Sequence, residues 1–151
     1  MSAPKLQTQV LSQTVSLQGR DEITLQLDIV NGEIQRGHLS GRGCPEMLQL
    51  MQAWRPKLKG ALESLEIPQG NTHSEILLRE AILKARGEWK FPYAEEELCH
   101  CRAVATSKVD AAIIGGCRSV RAIARETSAG TSCGSCRPDT EAIINYRLQI
   151  R

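Results

Sequence analysis

Ile23-Thr24-Leu25-Gln26-Leu27-Asp28-Ile29-Val30-Asn31-Gly32-Glu33-Ile34 is the stretch whose pattern sets the first half of the fold. Ile23, Leu25, Leu27 and Ile29 alternate with Thr24, Gln26 and Asp28, the period of two expected of a half-buried strand. Asn31-Gly32 follows, a strong short signal for a two-residue hairpin turn. The return strand starts at Glu33 and puts Ile34 on the same face as Ile29. Strict alternation would then bury Arg36 and His38 and expose Leu39. A bulge near Arg36-Gly37 resolves that conflict by swinging Leu39 inward and His38 out. Upstream, Val15 and Leu17 fit a third strand.

Downstream, Cys44-Pro45-Glu46 reads as a helix start, with proline at the first helical position and an acid in the first turn. Met47, Leu48, Met51 and Trp54 follow at helical spacing, and Pro56 bends or ends the run. A second helix covers His73 to Arg86, its Ile76, Leu77, Glu80 and Leu83 separating an apolar face from a charged one. Trp89 to Glu97 reads as a linker, broken by Pro92 and closed by the solvated run Glu95-Glu96-Glu97.

From there the pattern is helical. Ser107-Lys108-Val109-Asp110 has the form of a capping box, in which Asp110 reaches back to the helix start. Gly115-Gly116 ends that helix. Ser119 to Thr127 forms a second short helix, stopped at Ala129-Gly130, and Pro138 starts a third that carries Ala142, Ile143 and Tyr146. The organisation is therefore an α+β domain over 1–88, with a small antiparallel sheet and helices. A linker at 89–97 joins it to a small all-α helix-turn-helix domain over 98–151.

The chain has 151 residues, 41% of them hydrophobic and only 3% aromatic, so its core rests on Leu, Ile, Val and Ala. No apolar run approaches the roughly 20 residues needed to span a bilayer. The first residues lack the basic start and apolar stretch of a secretory signal. A cytoplasmic location is expected, and there clustered cysteines point first to metal or redox chemistry rather than disulfides. Charge is unevenly spread. Up to Leu98 there are 11 Lys/Arg against 13 Asp/Glu, whereas Cys99 to Arg137 has 6 against 2.

That basic segment holds Cys99-His100-Cys101 and Cys133-Gly134-Ser135-Cys136, separated by 31 residues. In an extended arm, Cys99 and Cys101 share one face and His100 points away. Gly134 permits a tight turn between the second pair and frees backbone N–H groups to point at sulfur. Thiolates around iron and sulfide form a net negative unit. Arg102, Lys108, Arg118, Arg121, Arg125 and Arg137 can offset it, with the helix starts near Ser107 and Pro138. A structural zinc Cys₄ site and a pair of disulfides fit the same residues, although zinc ribbons favour C-x-x-C on both arms. No aromatic residues interleave with the arginines, so charge compensation is preferred to nucleic-acid binding. Cys117 reads as a small packed residue, His38 as solvent-facing, and Trp54 and Trp89 as packing residues.

Leu98 to Tyr146 resembles the bacterioferritin-associated-ferredoxin-like 2Fe–2S domain. The resemblance rests on Cys99-His100-Cys101 with Val104, the helix around Val109-Ile113-Ile114, and Gly130-Thr131-Ser132-Cys133-Gly134-Ser135-Cys136. It implies that Cys99, Cys101, Cys133 and Cys136 ligate a 2Fe–2S cluster in loops between short helices. In the first half, Asp21, the hairpin, Gly43-Cys44 and the helix after His73 resemble the scaffold domain of NifU-type iron–sulfur cluster scaffold proteins. Only the middle one of that family's three cysteines is present, as Cys44; the others fall near Gly19 and at Ser74. One Cys, one His and one Asp make a poor set for building clusters. Cys44 at a helix N-terminus is suited to sulfur acceptance, or to binding a single metal with Asp21 and His73; the plainer alternative, preferred here, is a fold kept as a docking surface with Cys44 a buried relic.

Together these resemblances imply a 2Fe–2S accessory protein of iron–sulfur cluster assembly or iron handling, redox-active and not itself an enzyme. A stand-alone electron carrier and a redox-sensing module remain as alternatives. The implied partners are proteins: a cysteine desulfurase, a redox protein or an iron-storage protein, with a homodimer as a further candidate. Neither nucleic acid nor membrane is expected.

Overall fold

The computed structural model describes residues 6–149. The chain divides into two compact units, each described here by itself.

The first unit is built on an antiparallel sheet of β1 (Thr8–Leu17), β2 (Asp21–Val30), β3 (Glu33–Arg42) and β4 (Gly60–Ala61), in that order. Ile23, Leu25, Leu27 and Ile29 are all buried, so the alternating pattern defines the core face of β2. Asn31 and Gly32 take φ of 52° and 79°, the two positive values a tight hairpin turn requires. The Asn31 side chain also accepts from the Gln7 N–H at 3.1 Å, and its own N–H donates to the Gln7 carbonyl.

Asp28 pairs with Arg36 but Ile29 with Ile34, so Gln35 is the extra residue of a bulge. It lies one position before the expected Arg36-Gly37 and has the expected effect: Leu39 is buried and His38 exposed. Gly37 has its own reason for being glycine. A Cβ there would lie 2.7 Å from Leu58 Cβ, so the backbone and Leu58 pack closely. The third strand is longer than Val15 and Leu17 indicated, because β1 pairs along all ten residues with β2. Gln18-Gly19-Arg20 closes that hairpin, with Gly19 at φ 77°.

Helix α1 (Pro45–Trp54) buries Met47 and Met51 but leaves Leu48 exposed. It passes into a 3-10 turn at Arg55–Lys57, where Pro56 was expected to end it. Helix α2 (His73–Ala85) departs from the two-faced expectation. Ile76, Leu77, Leu78, Ala81 and Ile82 are buried, and so are Arg79 and Glu80. Buried charge survives only with partners. Arg79 donates to the carbonyls of Pro68 (3.0 Å) and Gly70, and Lys84 reaches Glu80 at 2.9 Å.

The second unit is not all-α. A small hairpin, β5 (Glu97–Cys99) with β6 (Val104–Ala105), precedes α3 (Thr106–Ile114), α4 (Val120–Thr127) and α5 (Arg137–Leu148). Its core joins Leu98, Val104, Val109, Ile113, Ile123, Ile143 and Ile144 to Cys99 and Cys136. The stretch 89–97 is anchored from Lys90 onward. Lys90 N–H donates to the Tyr146 hydroxyl (2.7 Å), Thr106 Oγ1 to the Glu95 carbonyl (2.6 Å), and Phe91 and Tyr93 pack on the core.

The capping box is absent. Ala105 occupies the N-cap of α3, which places Ser107 inside the helix, and Asp110 instead binds the Arg147 guanidinium of α5 through two contacts of 2.8 and 2.6 Å. Helix α4 is capped by Ser119, whose Oγ accepts from the Ala122 N–H at 3.0 Å. It ends at Ser128 in the left-handed region, one residue ahead of Ala129-Gly130. Among the described residues, no helix is long and apolar enough to cross a membrane.

Candidate metal centre

The four clustered cysteines come from two turns. Cys99 closes β5, and His100 to Ala103 turn the chain back to Val104, with Ala103 at φ 51°. The C-x-C arm is therefore a turn and not an extended segment, yet Cys99 Sγ and Cys101 Sγ still lie 3.6 Å apart. His100 is exposed and engages the acidic run: Nδ1 is 2.6 Å from Glu97 and Nε2 3.7 Å from Glu95. The C-x-x-C arm is the loop from Gly130 to Cys136, which ends as the N-cap of α5. Gly134, at φ 73°, turns that loop and brings Cys133 Sγ to 3.4 Å from Cys101 Sγ.

Burial divides the four into pairs. Cys99 and Cys136 lie in the core, 1% and 5% exposed, while Cys101 and Cys133 face solvent. The Cys99 thiol is held below its usual range chiefly because the Gly130 N–H donates to its sulfur; burial opposes this, and the Arg102 N–H adds to it. Cys136 is pushed up to about 11, first by burial and then by Cys99. Four thiolates drawn so close, two of them buried, repel one another unless cations join them. The donor set is uniformly soft sulfur, with N–H groups aimed at Cys99 Sγ and the Ser135 hydroxyl 3.1 Å from Cys133 Sγ. These are the features that suit an anionic iron–sulfide group, whose sulfurs accept hydrogen bonds from the protein.

Of the expected basic residues, Arg137 is tied into the ligand loop, its Nε and Nη2 donating to the Gly130 carbonyl at 3.2 and 2.9 Å. Arg102 contributes its backbone N–H to Cys99. Arg118 donates to the Asn71 carbonyl at 2.9 Å, and Lys108, Arg121 and Arg125 are exposed. Gly130 and Ser135 escaped the sequence reading as residues facing the site. Their signal was present, since both flank the cysteines of Gly130-Thr131-Ser132-Cys133-Gly134-Ser135-Cys136. Cys117 is half-buried against the core of the second unit, as expected of a packed small residue.

In the sheet unit, buried Asp21 accepts from the Cys44 N–H at 3.3 Å, and its other oxygen lies 3.9 Å from Cys44 Sγ. Gly43 permits this approach, because a Cβ there would meet Asp21 Oδ1 at 2.6 Å. His73, the third residue of the expected set, belongs to the second unit, so only Asp21 and Cys44 meet within the sheet unit.

Two buried and two exposed cysteines, drawn together by short helices and backed by N–H donors, define a small metal-binding module. Comparison gives that module its class: residues 98–146 match the BFD-like 2Fe-2S binding domain, and its cofactor is a 2Fe–2S cluster. Similar segments occur in a protein described as nitrate reductase from Klebsiella oxytoca, 37% identical over 51 residues, and in the nitrite reductase (NADH) large subunit of Escherichia coli (strain K12), 40% identical over 52. Each covers 34% of this chain but only 6% of the relative. The match leaves the sheet unit without a relative among these proteins, and no solved structure matches the chain.

Proposed function

We propose that Cys99, Cys101, Cys133 and Cys136 hold the 2Fe–2S cluster, and that the chain is a redox accessory protein of iron–sulfur cluster assembly or iron handling. The observation that carries this reading is the convergence of four sulfurs: Cys99 to Cys101 at 3.6 Å, Cys101 to Cys133 at 3.4 Å, and Cys136 hydrogen-bonded to Cys99. The occurrence of the same module in two proteins named as reductases supports a redox role. When bound, a 2Fe–2S cluster supplies one-electron transfer.

The chain's own residues bind, shield and expose. Cys99 and Cys136 anchor the group in the apolar core, and Gly130 and Arg102 donate N–H groups to Cys99. Cys101 and Cys133 leave one edge open to a protein partner. On this reading the sheet unit selects the partner, such as a desulfurase, a redox protein or an iron-storage protein, and the chain catalyses no reaction of its own. Within the sheet unit Asp21 and Cys44 offer one carboxylate and one thiol, too poor a soft-ligand set for building clusters.

Anaerobic purification with iron and sulfide analysis, and electron paramagnetic resonance of the reduced protein, tests the ligand assignment. Two irons and two sulfides per chain, lost in Cys101→Ser, are expected. A colourless chain holding one tightly bound zinc would end the redox reading. Binding to the cell's cysteine desulfurase separates an assembly role from that of a stand-alone carrier or sensor, which would exchange electrons with a reductase and leave the desulfurase unbound.

A further inference from the structure

Arg137 follows the last cluster cysteine directly, and its side chain turns back over the loop that carries the second ligand pair. Its backbone N–H bonds the Gly134 carbonyl at 3.2 Å, while the guanidinium forks onto the Gly130 carbonyl through Nε and Nη2 at 3.2 and 2.9 Å. The loop from Gly130 to Arg137 is thereby closed across seven residues. Both glycines leave room for the arginine. A Cβ on Gly134 would stand 3.1 Å from Arg137 Cζ, and one on Gly130 3.3 Å from Arg137 Cγ. Gly130 also sits at φ 79°, where an L side chain is strained, so the clamp and the backbone conformation require the same residue.

Gly130 faces the other arm as well. Its N–H donates to Cys99 Sγ, so one residue accepts from Arg137 and donates to a cysteine of the opposite turn. We propose that Arg137 is a positioning residue for the metal centre: it staples the C-x-x-C loop to Gly130 and thereby keeps the Gly130 N–H on Cys99, joining the two ligand arms. This rests on the four-cysteine assignment above. Lysine keeps the charge at this position but lacks the planar fork whose two N–H groups converge on one carbonyl oxygen. Charge and positioning can therefore be separated by substitution.

The test compares the full-length holoprotein with Arg137→Lys and Arg137→Gln, using iron content, reduction potential and the rate of iron loss to a chelator. An N–H donor on a ligating thiolate favours the reduced, more negative state. Its displacement therefore lowers the potential in both variants, and loss of a charge-assisted bond speeds iron release by roughly tenfold. Lysine failing to restore either quantity is the expected result. Lysine restoring both the wild-type potential and the wild-type release rate would overturn the proposal in favour of simple charge compensation, as would wild-type behaviour in both variants. If Arg137→Gln takes up no iron, Arg137→Lys alone decides by the same criteria. A wild-type chain lacking two irons and two sulfides would refute the ligand assignment instead, before any variant is compared.

Discussion

Asp110→Ala is expected to destabilise the iron-free second unit by about 3 kcal/mol. Asp110 on α3 binds Arg147 on α5 at 2.8 and 2.6 Å, and the two side chains are 18% and 5% exposed. Removing one partner of a buried pair destabilises by about 3–5 kcal/mol. Water reaches the Asp110 end, so the lower value, about 3 kcal/mol, applies. A unit of about 70 residues has about 3–10 kcal/mol of stability in total, so this loss removes close to a third or more of it. The consequence reaches the site because Cys136 is the N-cap of α5, and an α5 loosened from α3 no longer fixes that sulfur. Urea unfolding of the iron-free chain, followed by far-ultraviolet circular dichroism, measures the loss. The double variant Asp110→Leu/Arg147→Met should recover most of it, since an apolar pair of similar volume replaces a buried ion pair at little net change. A loss below about 1 kcal/mol for Asp110→Ala would mean that the pair behaves as an exposed bridge, and the reasoning would fail.

Five further outcomes are expected. In the iron-free chain, folded Cys136 keeps its proton to about 11, whereas an unfolded cysteine releases it near 9.0. Between those values the unfolded state binds fewer protons, so the urea midpoint falls as pH rises from 9 to 11, and Cys136→Ala flattens that slope. Cys99 acts in the opposite sense: its lowered thiol adds stability above the unfolded value, and this is lost as pH falls through the folded value, which a urea series below pH 9 detects. Leu27→Ala, at a fully buried position of β2, should lower the stability of the sheet unit by about 2–5 kcal/mol in urea. Cys44→Ser should retain two irons and two sulfides per chain by chemical analysis. Removing the iron from the wild type should shift the unfolding of the second unit to lower urea and leave that of the sheet unit in place, because a group that binds only the folded state stabilises that state alone.

Local signals were legible wherever a single principle governed the chain. Asn31-Gly32 dictated its turn, and the conflict between Arg36 and Leu39 required a bulge, which the structure places at Gln35. Strand β1 was only glimpsed, because Gln13 lies between Leu11 and Val15 and hides the alternation along that face. Helix α2 was misread because Arg79 and Glu80 look like a solvent face; their burial depends on the Pro68 and Gly70 carbonyls and on Lys84. The capping box failed for a similar reason. Asp110 found a stronger partner in Arg147, 37 residues away, than in the helix start three residues back. The cysteine spacing identified the candidate site, but the C-x-C arm proved to be a turn because β5 ends at Cys99.

The second unit explains why its cysteines were more informative than its hydrophobic pattern. Its core is short and made mainly of small and branched aliphatic residues, and two of the four candidate ligands, Cys99 and Cys136, are themselves part of that core. Domains of this size bury too small a fraction of their surface to be secure by packing alone, and they commonly depend on a covalent or metal cross-link. Here the ligands come in two pairs separated by 31 residues, so a bound metal group closes a long loop that the unfolded chain would otherwise leave open. A cross-link of that kind must sit where it can hold both arms, which places it in the core, and an electron carrier must also reach solvent. Burying Cys99 and Cys136 while exposing Cys101 and Cys133 meets both requirements with one set of four residues.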